Sequence, residues 1–317
     1  MSEALTEPFD AILELAGAPL REAMGSVEVR LREIAGVEAH ALHTIDAGGK
    51  RLRPLFVFVA GLGGSAHAPL CRAAAAVELI HSATLVHDDV LDDAPLRRGR
   101  ITVYAAAGRS AATATGDLLF ASAFAELVRN DDVAQFAALS SASSALARGE
   151  LMQRADAWNA SVTLERYLER CELKTARLFA AACELGALAG DGPPLGPFGR
   201  AVGLAFQILD DVLDITGPAE RTGKRRGADL LDGTVTLPLI LARERSPELA
   251  GLDLREIDGP DEADRICELI EATGAADQAR RQALELVASS KRTLPDVSTT
   301  QRRALELLAD GLVERFA

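Results

Sequence analysis

Two aspartate clusters carry the residue types and spacing that could do chemistry. The first is His87-Asp88-Asp89-Val90-Leu91-Asp92-Asp93, and the second is Phe206-Gln207-Ile208-Leu209-Asp210-Asp211-Val212-Leu213-Asp214. Both contain Asp-Asp-x-x-Asp. On a helix, at roughly 100° per residue, the first and last carboxylates of that spacing lie about 40° apart on one face. Carboxylates so placed repel each other, and near a helix C-terminus they also oppose the dipole, so a positive group must compensate. Oxygen-only donors suit magnesium, which keeps waters and bridges to substrate phosphates. Either cluster alone reads equally well as a solvated acidic helix end. Two copies, each after several apolar turns, favour a greasy interior with a metal-lined mouth.

Basic groups accompany the acids. Arg97-Arg98-Gly99 follows the first cluster and Lys224-Arg225-Arg226-Gly227 the second; Gly48-Gly49-Lys50-Arg51-Leu52-Arg53-Pro54 and Lys174-Thr175 lie elsewhere. Arg grips phosphate through a planar fork, and Lys acts as a point charge. Of 34 cationic residues only Lys50, Lys174, Lys224 and Lys291 are Lys, and three of these four stand beside Gly, Thr or Arg in settings that suit phosphate.

Helices must position these groups. Apolar residues recur at three- and four-residue spacing over 8–35, 53–64, 68–92, 110–129, 133–156, 164–189, 198–216, 236–246, 261–290 and 299–316, in a chain rich in Ala, Leu, Glu and Arg. Period-two runs are almost missing, so a sheet has little material. Gly48-Gly49, Gly61–Gly64, the Gly190–Pro194 stretch and Gly217-Pro218 mark joints, and Ser298 with Gln301 reads as a capping box. The expectation is all-α: one domain over 1–317, a bundle of about ten helices.

Composition excludes several classes. A formal charge of -13 argues against nucleic acid, whose binding needs a basic face. The four cysteines, Cys71, Cys171, Cys183 and Cys267, are scattered with no CxxC pair. With no secretory leader apparent, they read as small core residues in a reducing cytoplasm. No run of eighteen apolar residues is free of charge, so no membrane span is expected.

In combination, the motifs resemble those of the trans-polyprenyl diphosphate synthases, the isoprenyl diphosphate synthase family, over roughly 40–245. The ordered series is Gly48–Pro54, Glu78-Leu79-Ile80-His81, Asp88–Asp92, Arg97-Arg98-Gly99, Gly116-Asp117, Lys174-Thr175-Ala176 and Phe206-Gln207. Asp210–Asp214, Gly223-Lys224, Gly227-Ala228-Asp229-Leu230 and Thr236-Leu237-Pro238 complete it. The resemblance implies a helical bundle with the two motifs facing each other across a central cavity, usually in a homodimer. It implies that Asp88, Asp92 and Asp210 bind magnesium directly, with Asp89, Asp211 and Asp214 supporting it. It implies that Arg97, Lys174 and Lys224 hold an allylic diphosphate, and that Lys50, Arg53, His81 and Arg98 hold isopentenyl diphosphate. Thr175 and Gln207 would face the reacting carbons and the leaving oxygen. The chain departs from the family pattern at Gly233-Thr234, where a Gly-Lys is usual; Arg225 or Arg226 is the expected substitute. It departs again at Thr102-Val103-Tyr104 and Gly108-Arg109.

The implied chemistry is metal-assisted ionisation of the allylic diphosphate, attack by the isopentenyl double bond, and loss of a proton. Product length should follow the helix below Asp88, where one turn of about 5.4 Å approximates one isoprene unit. Ala83 and Thr84 come first, then Ile80, then Val77. Small residues at the first turn predict a product of twenty carbons or more, with Phe120 or Phe124 as a floor and Ala83→Phe as a shortening change. Two rivals are a class I terpene cyclase, which would lack Gly48–Pro54 and replace the second motif, and a non-catalytic regulatory subunit, which typically loses one motif.

Overall fold

The computed structural model describes residues 7–64, 67–217, 226–314 and 316. Helices dominate them: α1 (Glu7–Ala35), α2 (Ala39–Asp46), α3 (Leu52–Ala60), α4 (His67–Leu91), α5 (Val103–Leu127), α6 (Val133–Asp156), α7 (Leu164–Cys171), α8 (Arg177–Ala189) and α9 (Gly196–Thr216). After these come α10 (Ala228–Leu231), α11 (Leu237–Arg243), α12 (Pro247–Ala250), α13 (Pro260–Ala272), α14 (Ala275–Arg292) and α15 (Thr299–Glu314). Local chemistry sets many of the starts. The Thr102 hydroxyl accepts from the Ala105 N–H, Asp132 from those of Ala134 and Gln135, and Thr163 from that of Arg166, each satisfying an orphan donor of a first turn.

Periodicity located the long helices and missed the short elements. The expected 261–290 helix is two, α13 and α14, parted by a turn at Thr273-Gly274 where Gly274 has φ 70°. The helix expected from 110 begins at Val103, with a break at Gly108. The 164–189 segment is interrupted by a π turn over Glu172–Ala176. A two-stranded antiparallel ribbon, β1 (Leu96–Arg97) with β2 (Arg100–Ile101), also forms; two-residue strands are too short to show a period. The capping box is half right. The Ser298 hydroxyl accepts from the Gln301 N–H at 3.2 Å, but the Gln301 amide donates to the carbonyls of Val59 and Ala60 at the end of α3.

A single apolar cluster runs from Ile12 to Phe316 and includes a fully buried stripe of α4, Ala73 to Ala76. Helix α5 packs along α4, while α8 packs against α3, α4, α6 and α9. That places α8 and its preceding π turn between the ends of α4 and α9, where the two aspartate motifs stand. Of the cysteines, Cys171, Cys183 and Cys267 are buried and Cys71 is half-buried, all as free thiols.

Candidate active site

At the first motif each carboxylate meets a different environment. Asp88 looks into a cavity of about 460 Å³ between α4, α5 and α6. Burial pushes its carboxyl up to about 6, with Lys174 opposing and Glu150 and Asp92 reinforcing the shift. Asp89 is buried and accepts from Arg97 Nε at 2.6 Å. Exposed Asp92 accepts from Arg154 Nη2 at 2.8 Å. Arg154 in turn donates to Glu150, whose other oxygen takes the Lys174 ammonium. An ion-pair chain thus runs Asp92–Arg154–Glu150–Lys174 across the cavity mouth. Glu150 and Arg154 escaped the sequence reading. Gly149 carried a signal, because a Cβ there would lie 2.6 Å from the Lys174 backbone nitrogen; only glycine lets α6 approach the π turn that presents Lys174.

The second motif mirrors this arrangement. Asp210 is exposed, whereas Asp211 is buried. Asp211 accepts from the Tyr167 hydroxyl and from Gln207 Nε2, both at 2.7 Å. Burial raises its carboxyl to about 7 against the pull of those two donors. Asp214 accepts from the backbone N–H groups of Ala228 and Asp229, each at 3.2 Å, and so holds the start of α10. Asp229 titrates well above its ordinary value because it is buried beside Asp214, Asp211 and Asp210.

Asp89 and Asp211, expected to support the metal rather than bind it directly, hydrogen-bond to protein donors inside the fold. Among the described residues no three carboxylates converge on one point. The donor set nonetheless fits magnesium, which needs few protein ligands when waters and phosphates supply the rest. The crowding of like charge around Asp229 is also what a divalent cation would relieve.

The residues expected to hold isopentenyl diphosphate gather on the other side of α4. Burial, then Arg53, Arg98, Arg97 and Arg51, hold the His81 imidazole well below its usual range, so it is neutral in a cationic nest. Arg53 lies 4.6 Å over the Phe179 ring. A Cβ on Gly49 would fall 2.7 Å from Arg98 Nη1, so the bare backbone at Gly49 lets the exposed Lys50 loop and Arg98 meet. Arg51, passed over in the sequence, fastens that loop. It is buried in the left-handed region at φ 47°. It donates to Glu28 at 2.6 Å, to Glu78 at 2.8 Å and to the Ile45 carbonyl at 2.9 Å. Lys224 and Arg225 fall outside the described residues. Arg226, the other expected substitute for the missing lysine, pairs with Asp264 and Glu271 on α13.

Thr84, His87, Leu91, Thr113, Phe120, Ser143, Leu146 and Ala147 line the cavity beneath Asp88. Of the chain-length positions read from the sequence, Thr84 lines this cavity, while Ala83, Ile80 and Val77 are 0% exposed and pack into the core. Ala83 lies one residue from Thr84 but about 100° round the helix, which turns it away. Phe124 stacks behind Phe120 with ring centroids 5.7 Å apart.

An apolar cavity with carboxylates and a lysine at its mouth, in an all-α bundle, describes a class of enzyme that handles a long hydrocarbon bearing a charged head. The sequence matches the polyprenyl synthetase family over residues 35–273. It is 45% identical over 208 residues to heptaprenyl diphosphate synthase component 2 of Geobacillus stearothermophilus, covering 64% of this chain and 65% of that protein. Over 317 residues it is 35% identical to a short chain isoprenyl diphosphate synthase of Methanothermobacter thermautotrophicus, covering 93% and 97%. The fold matches a polyprenyl synthase crystal structure from Caulobacter crescentus, complexed with calcium and isoprenyl diphosphate. That match has TM-score 0.88 and 37% identity over 97% and 98% of the two chains. The chain belongs to the polyprenyl synthetase family, whose members are trans-prenyltransferases of the all-α isoprenoid synthase fold.

Proposed function

We propose that this chain, working as one domain, condenses isopentenyl diphosphate with an allylic diphosphate and releases a polyprenyl diphosphate of twenty carbons or more. The observation that carries the reading is the cavity. Asp88, Glu150 and Lys174 line one end; Thr84 and Leu146, each one helical turn before one of those carboxylates on α4 and α6, line the rest with Phe120. A charged head and a growing hydrocarbon tail fit that gradient.

Lys174, Arg97 and, outside the described residues, Lys224 take the allylic diphosphate. For Lys174 this means exchanging Glu150 for phosphate. Lys50, Arg53, His81 and Arg98 take isopentenyl diphosphate, the neutral imidazole donating an N–H while the cations supply charge. Magnesium held by Asp88, Asp92 and Asp210 would neutralise charge on the departing diphosphate. The apolar walls exclude water, which would otherwise quench the allylic cation to an alcohol. The bound geometry brings the isopentenyl double bond to that cation, and the diphosphate accepts the proton released afterwards.

A homodimer is the proposed assembly. Helix α5 with its continuation to Asn130 is apolar, yet only 39% of its most apolar stretch is buried. Exposed apolar side chains continue the surface onto α6, with Val133 86%, Leu151 71% and Phe136 40% exposed. Sedimentation should give twice the chain mass, and Leu151→Glu should shift it toward the monomer. The free thiols support a reducing compartment, and we place the enzyme in the cytoplasm. A second reading follows from the heptaprenyl relative, which is named as component 2: a different subunit completes the enzyme. Incubating the purified chain with magnesium, farnesyl diphosphate and labelled isopentenyl diphosphate separates the possibilities. Label in a longer prenyl diphosphate supports the proposal. Unlabelled hydrocarbon indicates a cyclase, and no product without another protein indicates a dependent subunit.

A further inference from the structure

Four side chains from α7, the π turn and α9 form one relay, buried except at the half-buried Gln207. Tyr167 on α7 is 0% exposed, Asp211 on α9 is 4% exposed, and Thr175 in the π turn is 8% exposed. The Tyr167 hydroxyl donates to Asp211 Oδ2, Gln207 Nε2 donates to Asp211 Oδ1, and the Thr175 hydroxyl donates to Gln207 Oε1, each at 2.7 Å. With Asp211 ionised, the direction of every bond is fixed: the carboxylate then only accepts, so the Gln207 amide turns its NH2 to Asp211 and its oxygen to Thr175. Thr175 must then spend its one proton on Gln207, leaving its Oγ lone pairs as the only polarity it can offer elsewhere. Thr175 adjoins Lys174, which stands at the cavity mouth beside Asp88. The π turn that carries both residues is a rare local geometry, found frequently at functional sites.

We propose that Tyr167 is a positioning residue. Acting through Asp211 and Gln207, it sets the direction in which Thr175 presents its hydroxyl oxygen to the reacting end of the allylic chain. This rests on the prenyl-transfer reading above and deepens it. Without the phenol, the buried carboxylate keeps one donor of two and is no longer held in a single orientation, and the Gln207 amide loosens with it. The diphosphates are gripped by Lys and Arg side chains outside the relay, so their binding should not register the loss.

The test is a double-mutant cycle read in steady-state kinetics. Tyr167→Phe should lower kcat about tenfold while both KM values stay within about twofold, and Thr175→Val should lower kcat by itself. In the Thr175→Val background Tyr167→Phe should cost nothing further, because the group it orients is gone. Losses that multiply, an unchanged kcat in Tyr167→Phe, or KM values that rise with the kcat loss would overturn the proposal. If Tyr167→Phe does not fold, Asp211→Asn replaces it in the same cycle, since the asparagine NH2 can donate to Gln207 Oε1 and reverse the relay. An inactive wild-type chain would defeat the prenyl-transfer reading; an active one with multiplying losses would defeat this inference alone.

Discussion

The ends of α4 and α9 carry the same three-carboxylate spacing, and the fold treats corresponding residues alike. Asp88 and Asp210 open toward solvent or cavity, and Asp89 and Asp211 turn inward to protein donors. Asp92 is held by the Arg154 side chain, and Asp214 by the backbone at the start of α10. The difference lies in the inner partners. Asp89 meets an arginine that is itself a proposed phosphate ligand, whereas Asp211 meets a tyrosine and a glutamine with no formal charge. On the proposed assignment the first motif is tied to substrate charge, whereas the second is tied to the interior.

The largest expected effect tests the outward positions. Asp88→Asn and Asp210→Asn should each lower kcat by roughly 10²–10³-fold, since each removes charge where the leaving group is neutralised. Asp93→Asn is the internal control. Among the described residues its exposed carboxylate pairs with Arg109 and Tyr104 at the surface. It should change kcat by less than about twofold. Equal losses at Asp93 and Asp88 would break the inward–outward distinction.

Next comes the loop that carries Lys50. Glu78→Gln removes the negative charge from a buried ion pair and should cost about 3 kcal/mol in a denaturant titration. Glu28→Gln should cost clearly less, because its side chain is 35% exposed. Both should raise KM for isopentenyl diphosphate and leave that for the allylic substrate alone. The subtlest comparison is between neighbours on α4. Thr84→Phe should fill the cavity and shorten the product seen by chromatography. Ala83→Phe should mainly destabilise the fold, by about 1–3 kcal/mol, because no free space adjoins that residue.

The long helices were legible because their packing stripes are local patterns, and the aspartate pairs because helical spacing alone puts them on one face. What escaped was relational. Ala-rich periodicity continues on both sides of Gly274 and hides the break between α13 and α14. A π turn adds one residue to one turn, so Lys174 and Thr175 look like ordinary helix positions. Tyr167 meets Asp211 across 44 positions and Arg154 meets Asp92 across 62, distances at which spacing carries no information. The split between Thr84 and Ala83 needed the neighbouring helices, since both are small residues below Asp88.

The most direct measurement of the central claim is chain extension by the purified protein alone, with magnesium, farnesyl diphosphate and labelled isopentenyl diphosphate, read by product chromatography. The mechanism predicts labelled prenyl diphosphates of twenty carbons or more. Farnesyl diphosphate recovered unextended under those conditions would contradict it.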